Sequence, residues 1–203
     1  MDNFTIAKAL NTHYVTKLNF KGCYSSDEIE KLNKKVTEKN FYIINLDKSN
    51  EPGSHWICIM LTPLGKNYFF DSYGMPPYLT EFKKFMKDSY QYNKICLQHH
   101  LSTSCGQWCM YFIFHKCLNL PLKVLFDKFN KRNKLKNDTL VVHIVNHIFK
   151  LSSEPVSKIF MKKQLCKKQQ RSQPMKNNLK KIEKAAAETL HKKQKQKLDT
   201  QHE

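Results

Sequence analysis

Four side chains of types that cooperate in nucleophilic catalysis stand out in the sequence: Cys105, His55, Asp71 and Gln98. A thiol becomes a good nucleophile only as the thiolate, which is favoured at a helix N-terminus and beside an imidazolium. An imidazole can accept and return a proton, and a carboxylate can hold that imidazole in one tautomer. A carboxamide can donate hydrogen bonds to a developing oxyanion. Together, these residue types suit an attack on a carbonyl group.

Cys105 begins a run of largely apolar residues that extends to position 118. A helix that is apolar nearly all round is buried in the middle of a domain, so we predict a central helix with Cys105 at its N-terminus. The Ser-Thr-Ser sequence at 102–104 offers side chains that can cap this helix. Because Gly106 has no Cβ, we also predict that it lets a substrate backbone approach the sulfur closely.

Three short segments rich in β-branched and aromatic residues are separated by Pro and Gly turn signals, which predicts an antiparallel meander. They cover residues 41–46, 55–62 and 67–72. His55 begins the second segment and Asp71 lies at the end of the third. Pairing of these two strands would therefore bring both residues to the same end of the sheet, where the carboxylate can accept the Nδ1 hydrogen of the imidazole.

The other elements are expected to surround this sheet. Helical periodicity is present in five further segments, and a short strand is predicted before Gln98. The helices are expected at residues 4–11, 26–39, 78–89, 122–129 and 139–149, the strand at 94–97, and a loop at 19–26. The predicted fold class is α+β, with a small antiparallel sheet packed against the central buried helix.

The motifs that carry this chemistry resemble a known family. They are Gly-Ser-His-Trp at 53–56, Tyr-Phe-Phe-Asp-Ser-Tyr-Gly at 68–74, Gln98, and Ser-Cys-Gly at 104–106. Their order and spacing resemble the adenovirus protease (adenain) family and its relatives, the SUMO-type ubiquitin-like-protein proteases. The resemblance covers about residues 4–150. Each motif alone is a weak signal, whereas the joint match is specific.

The resemblance implies a papain-like cysteine protease layout and a role for each matching residue. His55, Asp71 and Cys105 would form the triad, Gln98 would supply the oxyanion-hole amide, and Trp56 would shape a narrow substrate slot. The acid here is Asp followed by Ser, as in the SUMO proteases, whereas adenovirus enzymes carry Glu. From the residues alone, Trp56 could equally be ordinary core, and Asp71 could instead cap a turn.

The function implied is a cysteine endopeptidase that cleaves viral or viral-like precursor proteins at glycine-containing sites, as in virion maturation. No cofactor is required for such chemistry, although the resemblance implies DNA or a peptide as an activator. Cys96 does not match the position that tethers the peptide in adenovirus enzymes. Two alternatives remain: an isopeptidase that removes SUMO or another ubiquitin-like protein, and a non-catalytic nucleic-acid-binding protein on a protease scaffold.

The chain of 203 residues has a formal net charge of +18, which favours contact with polyanions such as DNA. We predict a protease domain at residues 1–150 followed by a basic, flexible tail at 151–203, where Lys and Arg far outnumber Asp and Glu. The tail has three interpretations: a solvated charge run, a docking helix, and a nuclear-import or nucleic-acid-binding segment. Its central residues are Lys162, Lys163, Lys167, Lys168 and Arg171.

The seven cysteines have irregular spacings with no Cys-x-x-Cys pair, and no signal peptide is recognisable, so we expect an intracellular rather than a secreted protein. For a viral source, the nucleus or the virion is expected. No apolar run approaches the length of a membrane span, and we expect a soluble monomer. A zinc site formed by His99, His100, Cys105 and Cys109 lacks paired-ligand spacing, so no metal is expected.

Overall fold

A five-stranded sheet lies at the centre of the part of the chain that the computed structural model describes, residues 1–32, 36–87 and 89–151. The strands follow one another in the sheet in chain order. They are β1 (Phe20–Ser25), β2 (Asn40–Asn45), β3 (Trp56–Leu61), β4 (Asn67–Phe70) and β5 (Tyr90–Tyr92). Together with the flanking helices, this sheet gives the α+β class that the sequence predicts.

The central strands β2, β3 and β4 form the predicted antiparallel meander. The two outer strands pair in parallel, β1 with β2 and β5 with β4, so the sheet as a whole is mixed. The loop predicted at 19–26 is wrong, because most of this segment forms β1. The strand predicted at 94–97 is also wrong, because the residues that pair with β4 come earlier in the chain, in β5. Both edge strands have mostly half-buried side chains, which leaves little alternation to detect.

Five α-helices and one 3₁₀ helix complete the described fold. The predicted central helix is confirmed as α3. The predicted helix at 26–39 is wrong in length, because only a six-residue 3₁₀ helix forms and Leu32 is already extended. The helices are α1 (Asn3–Thr12), α2 (Thr80–Phe85), α3 (Cys105–Cys117), α4 (Leu122–Phe126) and α5 (Lys134–Phe149), and the 3₁₀ helix is Ser26–Lys31.

Helices cover both faces of the sheet, because alternate residues of the central strands point to opposite sides. One face packs against α1, α3, α4 and α5, and the ring of Phe70 stacks on that of Phe112 at 4.6 Å between centroids. The other face packs against α2 and the 3₁₀ helix through a second cluster that includes Ile29 and Phe82. The first contact fixes α3 across the sheet, with Cys105 at the helix N-terminus.

None of the described helices is long and apolar enough to cross a membrane. The predicted tail at 151–203 falls outside the described residues apart from Leu151, and with it the five basic residues proposed to bind nucleic acid. Their role stays a prediction.

Candidate active site

His55 and Asp71 meet at one end of the sheet. His55 directly precedes β3 and Asp71 directly follows β4, and the pairing of Cys58 with Phe70 aligns these strand ends. The imidazole Nε2 lies 2.7 Å from Asp71 Oδ1, and both residues are buried. The expectation that the Nδ1 hydrogen makes this bond is wrong, because the ring turns its Nε2 toward the carboxylate.

The second ring nitrogen of His55 is left for the thiol of Cys105. Nδ1 is buried and makes no hydrogen bond of ordinary geometry. Burial is the largest influence on the pKa of His55 and lowers it, but Asp71 and Cys105 together outweigh it and raise the pKa from 6.5 to about 9. Since Asp71 occupies Nε2, Nδ1 is the ring nitrogen that stays available to the thiol. The imidazole therefore lies between an acid and a thiol, and its charged form is stabilised from both sides.

Asp71 also closes a turn, so the turn-capping interpretation of this residue holds, while its role as the triad acid stays a prediction. Its Oδ1 accepts a hydrogen bond from the Tyr73 backbone N–H at 2.9 Å, and the Gly74 N–H donates to the Asp71 carbonyl at 2.8 Å. A carboxylate that accepts bonds from both the backbone and the imidazole can occupy few other positions. The turn thus fixes the acid in the orientation that His55 needs.

The ring of Tyr73 covers one face of the imidazole. The two rings stack with their centroids 4.6 Å apart and their planes at 27°. An aromatic face carries partial negative charge, so this stacking favours the imidazolium and excludes water from it. Tyr73 therefore holds both catalytic candidates of the sheet, His55 by its ring and Asp71 by its backbone.

Gln98 lies fully buried in the loop that leads to Cys105. Its Oε1 accepts a hydrogen bond from Ser72 Oγ, and its Nε2 donates to the Ser102 carbonyl at 3.0 Å. Its backbone N–H also donates to the Ser72 carbonyl, at 3.0 Å. These bonds fix which end of the carboxamide is the donor, and one of its two N–H groups is used by Ser102. Ser72, the neighbour of the acid, thus ties this loop to the end of the sheet.

Cys105 is the first residue of α3, where backbone N–H groups point out of the helix. Ser104 is the N-cap residue, but its side chain makes no capping bond, so that part of the expectation is wrong. The Ser104 hydroxyl instead donates to Asp138 Oδ1 at 2.8 Å, and Ser102 Oγ accepts from the Ser104 N–H at 3.1 Å. The Ser104 hydroxyl therefore binds the buried Asp138 carboxylate of α5 instead of the end of α3.

Gly106 packs against α1. A Cβ at this position would lie 3.0 Å from Ile6 Cδ1 and 3.6 Å from Met1 Cβ, so the close approach of α1 already accounts for the glycine. Trp56 is the first residue of β3 and is half-buried. It packs against the hydrophobic cluster between the sheet and α3. Their proposed roles in substrate binding stay predictions.

The other described cysteines lack the setting of Cys105. Burial raises the pKa of Cys23 to about 12 and that of Cys117 to about 11, and it raises those of Cys58 and Cys109 well above the usual value. It also raises the pKa of Cys96. A thiol held protonated in this way is a poor nucleophile. Within residues 1–32, 36–87 and 89–151, no three His, Cys, Asp or Glu side chains are grouped so that they could hold a metal ion.

Sequence reasoning missed three residues that hold this site in place: Ser72, Asn93 and Asp138. Asn93 binds both backbone groups of Asp71, while Ser72 and Asp138 bind the loop from Gln98 to Cys105. Ser72 was at least part of a recognised motif. Asn93 lies in a polar segment typical of a loop, and Asp138 in one typical of the surface of a helix. No local pattern in the sequence therefore indicated a role for either residue.

Comparisons with known proteins bear on the fold of this chain. No protein-family model matches the sequence, and no curated protein matches it significantly. Among solved structures, the ASFV pS273R protease matches with a TM-score of 0.51 and 14% identity, over 76% of this chain and 68% of that chain. The Ulp1 SUMO protease, with its catalytic cysteine oxidised to a sulfenic acid, matches with a TM-score of 0.43 and 15% identity, over 71% and 76%. The likeness to the pS273R protease shows that this chain shares the fold of that protein.

Proposed function

We propose that this chain is a cysteine endopeptidase in which Cys105 is the nucleophile, His55 the general acid and base, and Asp71 the residue that orients His55. One observation carries the proposal: the buried imidazole bonds Asp71 through Nε2 while Cys105 raises its pKa from the other side. A buried charged imidazole beside a thiol at a helix N-terminus is the arrangement that produces a reactive thiolate.

The reaction follows from the two ring nitrogens. The Cys105 thiolate attacks the scissile carbonyl carbon, and the carbonyl oxygen becomes an oxyanion. The imidazolium of His55 gives its Nδ1 proton to the leaving nitrogen, so the C–N bond breaks and a thioester remains. Water then attacks the thioester, Nδ1 takes a proton from it, and the carboxylic acid and the thiolate are released.

Gln98 and the Cys105 backbone N–H are proposed to bind the oxyanion. Ser72 and Ser102 hold the carboxamide so that one N–H group is left over, and the Cys105 N–H lies at the helix end. Donors fixed before the reaction need no reorganisation when charge develops. We expect Gln98→Ala to lower kcat by about 100-fold or more.

The substrates are proposed to be proteins with glycine near the scissile bond, in keeping with the resemblance, and Trp56 to form one wall of the slot that admits them. A slot too narrow for a side chain rejects other residues by steric exclusion. We propose DNA as a further partner, bound through the basic surface and through Lys162, Lys163, Lys167, Lys168 and Arg171. Binding should then weaken steeply with salt and fall when residues 152–203 are removed.

The deciding experiment measures cleavage of a Gly-Gly-X peptide library by the full chain, with and without DNA, and compares Cys105→Ala with Cys96→Ser. We expect turnover by the wild-type chain and by Cys96→Ser, and none by Cys105→Ala. Turnover by Cys105→Ala would refute the assignment of the nucleophile. An unreactive wild-type chain that still binds DNA would point to a binding protein on a protease scaffold.

An isopeptidase that removes a ubiquitin-like protein is the second candidate, favoured by the Asp71-Ser72 pair that resembles the SUMO proteases. The same assay distinguishes it when modifier conjugates are added. A deconjugating enzyme gains binding energy from the folded modifier, so its kcat/KM for conjugates should exceed that for free peptides by orders of magnitude. Comparable values for the two substrates would favour the endopeptidase.

A further inference from the structure

Asp138 is a buried carboxylate of α5 that binds the loop leading to Cys105. The residue is 1% exposed. Its Oδ2 accepts a hydrogen bond from the His99 backbone N–H at 2.9 Å. Its Oδ1 accepts one from Ser104 Oγ at 2.8 Å and one from the indole Nε1–H of Trp108, also at 2.8 Å. The carboxylate therefore contacts the residue after Gln98, the residue before Cys105, and the first turn of α3.

A buried carboxylate such as that of Asp138 lowers the stability of the fold if it serves only to fill space. Burial raises the pKa of Asp138, and the donors from Trp108, His99, Ser104 and Ser102 act against that shift. Taking a carboxylate out of water is unfavourable unless every lone pair finds a donor, and an apolar side chain of similar volume often stabilises a core better. The donor set suits an ionised carboxylate, since each partner is an N–H or O–H group.

The two proposed oxyanion donors lie at the two ends of the segment that Asp138 holds. Gln98 is one end and Cys105 the other, and Asp138 binds the backbone of His99 and the hydroxyl of Ser104 between them. A neighbouring bond acts the same way, because Asn137 Nδ2 donates to the Leu97 carbonyl at 3.2 Å. Asn137 and Asp138, in the first turns of α5, thus bind the residues on both sides of Gln98.

His55 and Asp71 are held by other parts of the fold, namely the ends of β3 and β4, Tyr73 and Asn93. The hydrogen bonds of Asp138 go to His99, Ser104 and Trp108 and reach neither residue. We propose that Asp138 is a positioning residue that sets the separation between the Gln98 carboxamide and the Cys105 N–H, and so shapes the oxyanion hole without contacting His55 or Asp71. This inference rests on the proposed function.

The test uses the isosteric change Asp138→Asn in the full chain. An asparagine keeps the volume but turns an N–H toward at least one of the three donors, so the loop must shift. A displacement of about 1 Å at a catalytic group costs about 100-fold in rate. We expect kcat for the Gly-Gly-X peptide to fall about 10- to 100-fold, with KM changed less than about twofold.

Alkylation of Cys105 by iodoacetamide distinguishes a role in the oxyanion hole from a merely structural role. A structural defect would slow alkylation and turnover together, whereas a defect in the oxyanion hole would slow turnover alone. Displacement of iodide by the thiolate needs His55 but forms no oxyanion, so its rate and pH profile should stay within about twofold of wild type. The control is Asp127→Asn, which removes the same charge at an exposed position that ends α4. This variant should match wild type in both assays.

Two results would overturn the inference. One is an unchanged kcat in a folded Asp138→Asn variant, and the other is a parallel loss of alkylation and turnover, which would mean that Asp138 acts on the triad or on the whole fold. If Asp138→Asn does not fold, Ser104→Ala decides, since it removes one donor only: reduced kcat with normal alkylation supports the inference, and unchanged kcat refutes it. A wild-type chain that neither cleaves nor alkylates at Cys105 refutes the proposed function itself.

Discussion

Asn93 binds both backbone groups of Asp71 with one side chain. Its Oδ1 accepts from the Asp71 N–H at 3.0 Å, and its Nδ2 donates to the Asp71 carbonyl. Asp71 lies just beyond β4, where the pairing of β4 with the neighbouring strand β5 has ended at Phe69 and Tyr92. The asparagine therefore replaces the missing strand partner and keeps the acid aligned with His55.

The first prediction concerns this side chain. Asn93→Ala leaves the buried N–H of Asp71 without its partner and removes one of the two hydrogen bonds to the Asp71 carbonyl, which should lower the free energy of unfolding by about 1 to 3 kcal/mol. It should also lower kcat/KM, because His55 loses its orientation. Urea denaturation and peptide cleavage check both effects. Asn11→Ala, an exposed change on α1, is the control, and equal behaviour of the two variants would contradict the prediction.

The second prediction concerns the pH dependence of the reaction. The pKa of His55 is raised to about 9, so the imidazolium that protonates the leaving group persists up to that pH. We expect kcat/KM to decline on the alkaline side near pH 9. Asp71→Asn removes an interaction that raises this pKa and should move the decline to lower pH. A decline that stays in place in Asp71→Asn would show that another group is titrating.

The third prediction concerns stability and pH. Because folding raises the pKa of His55 from 6.5 to about 9, its charged form stabilises the folded state fully below pH 6.5. That contribution is lost as the pH rises from 6.5 to about 9. Urea denaturation across this window should show the loss in wild type and a flatter profile in His55→Gln. Substitution of the exposed His143 by Gln should leave the wild-type profile unchanged.

The fourth prediction compares two glycines with similar positive φ, Gly74 at 74° and Gly65 at 69°. A Cβ at Gly74 would lie 2.7 Å from the backbone carbon of Ile95, whereas among the described residues nothing lies within 4 Å of a Cβ at Gly65. Both alanine variants should lose about 1 to 2 kcal/mol to backbone strain. Gly74→Ala should lose about 1 to 3 kcal/mol more through the clash and should also lower kcat, since Gly74 belongs to the turn that holds Asp71. Equal stability losses would argue against the close approach.

The fifth prediction concerns thiol selectivity. At pH 7, limited iodoacetamide should modify Cys105 well before Cys23, Cys58, Cys109 and Cys117, whose pKa values are raised by burial. Peptide mapping by mass spectrometry gives the order of modification. His55→Gln should slow labelling of Cys105 specifically. If Cys105 were labelled no faster than Cys58 or Cys109, the imidazole would not activate its thiol.

The sequence by itself determined the candidate catalytic residues and the central elements. Runs of β-branched and aromatic residues between Pro and Gly turn signals predicted β2, β3 and β4, and these runs are nearly continuous because each strand buries side chains on two faces. The apolar run after Cys105 predicted α3, because a helix between a sheet and other helices has no exposed face. The ends of these elements already carry His55, Asp71 and Cys105, so the strand pairing was enough to bring the first two together.

Only the tertiary structure decided how the site is held. Which imidazole nitrogen faces Asp71 depends on ring orientation, which no pattern of residue types encodes. Asn93 and Asp138 act on residues distant in the chain, and in the sequence they look like an ordinary loop asparagine and a surface aspartate of a polar helix start. Local patterns report the periodicity of burial, whereas a buried polar contact depends on where two separate segments meet in space.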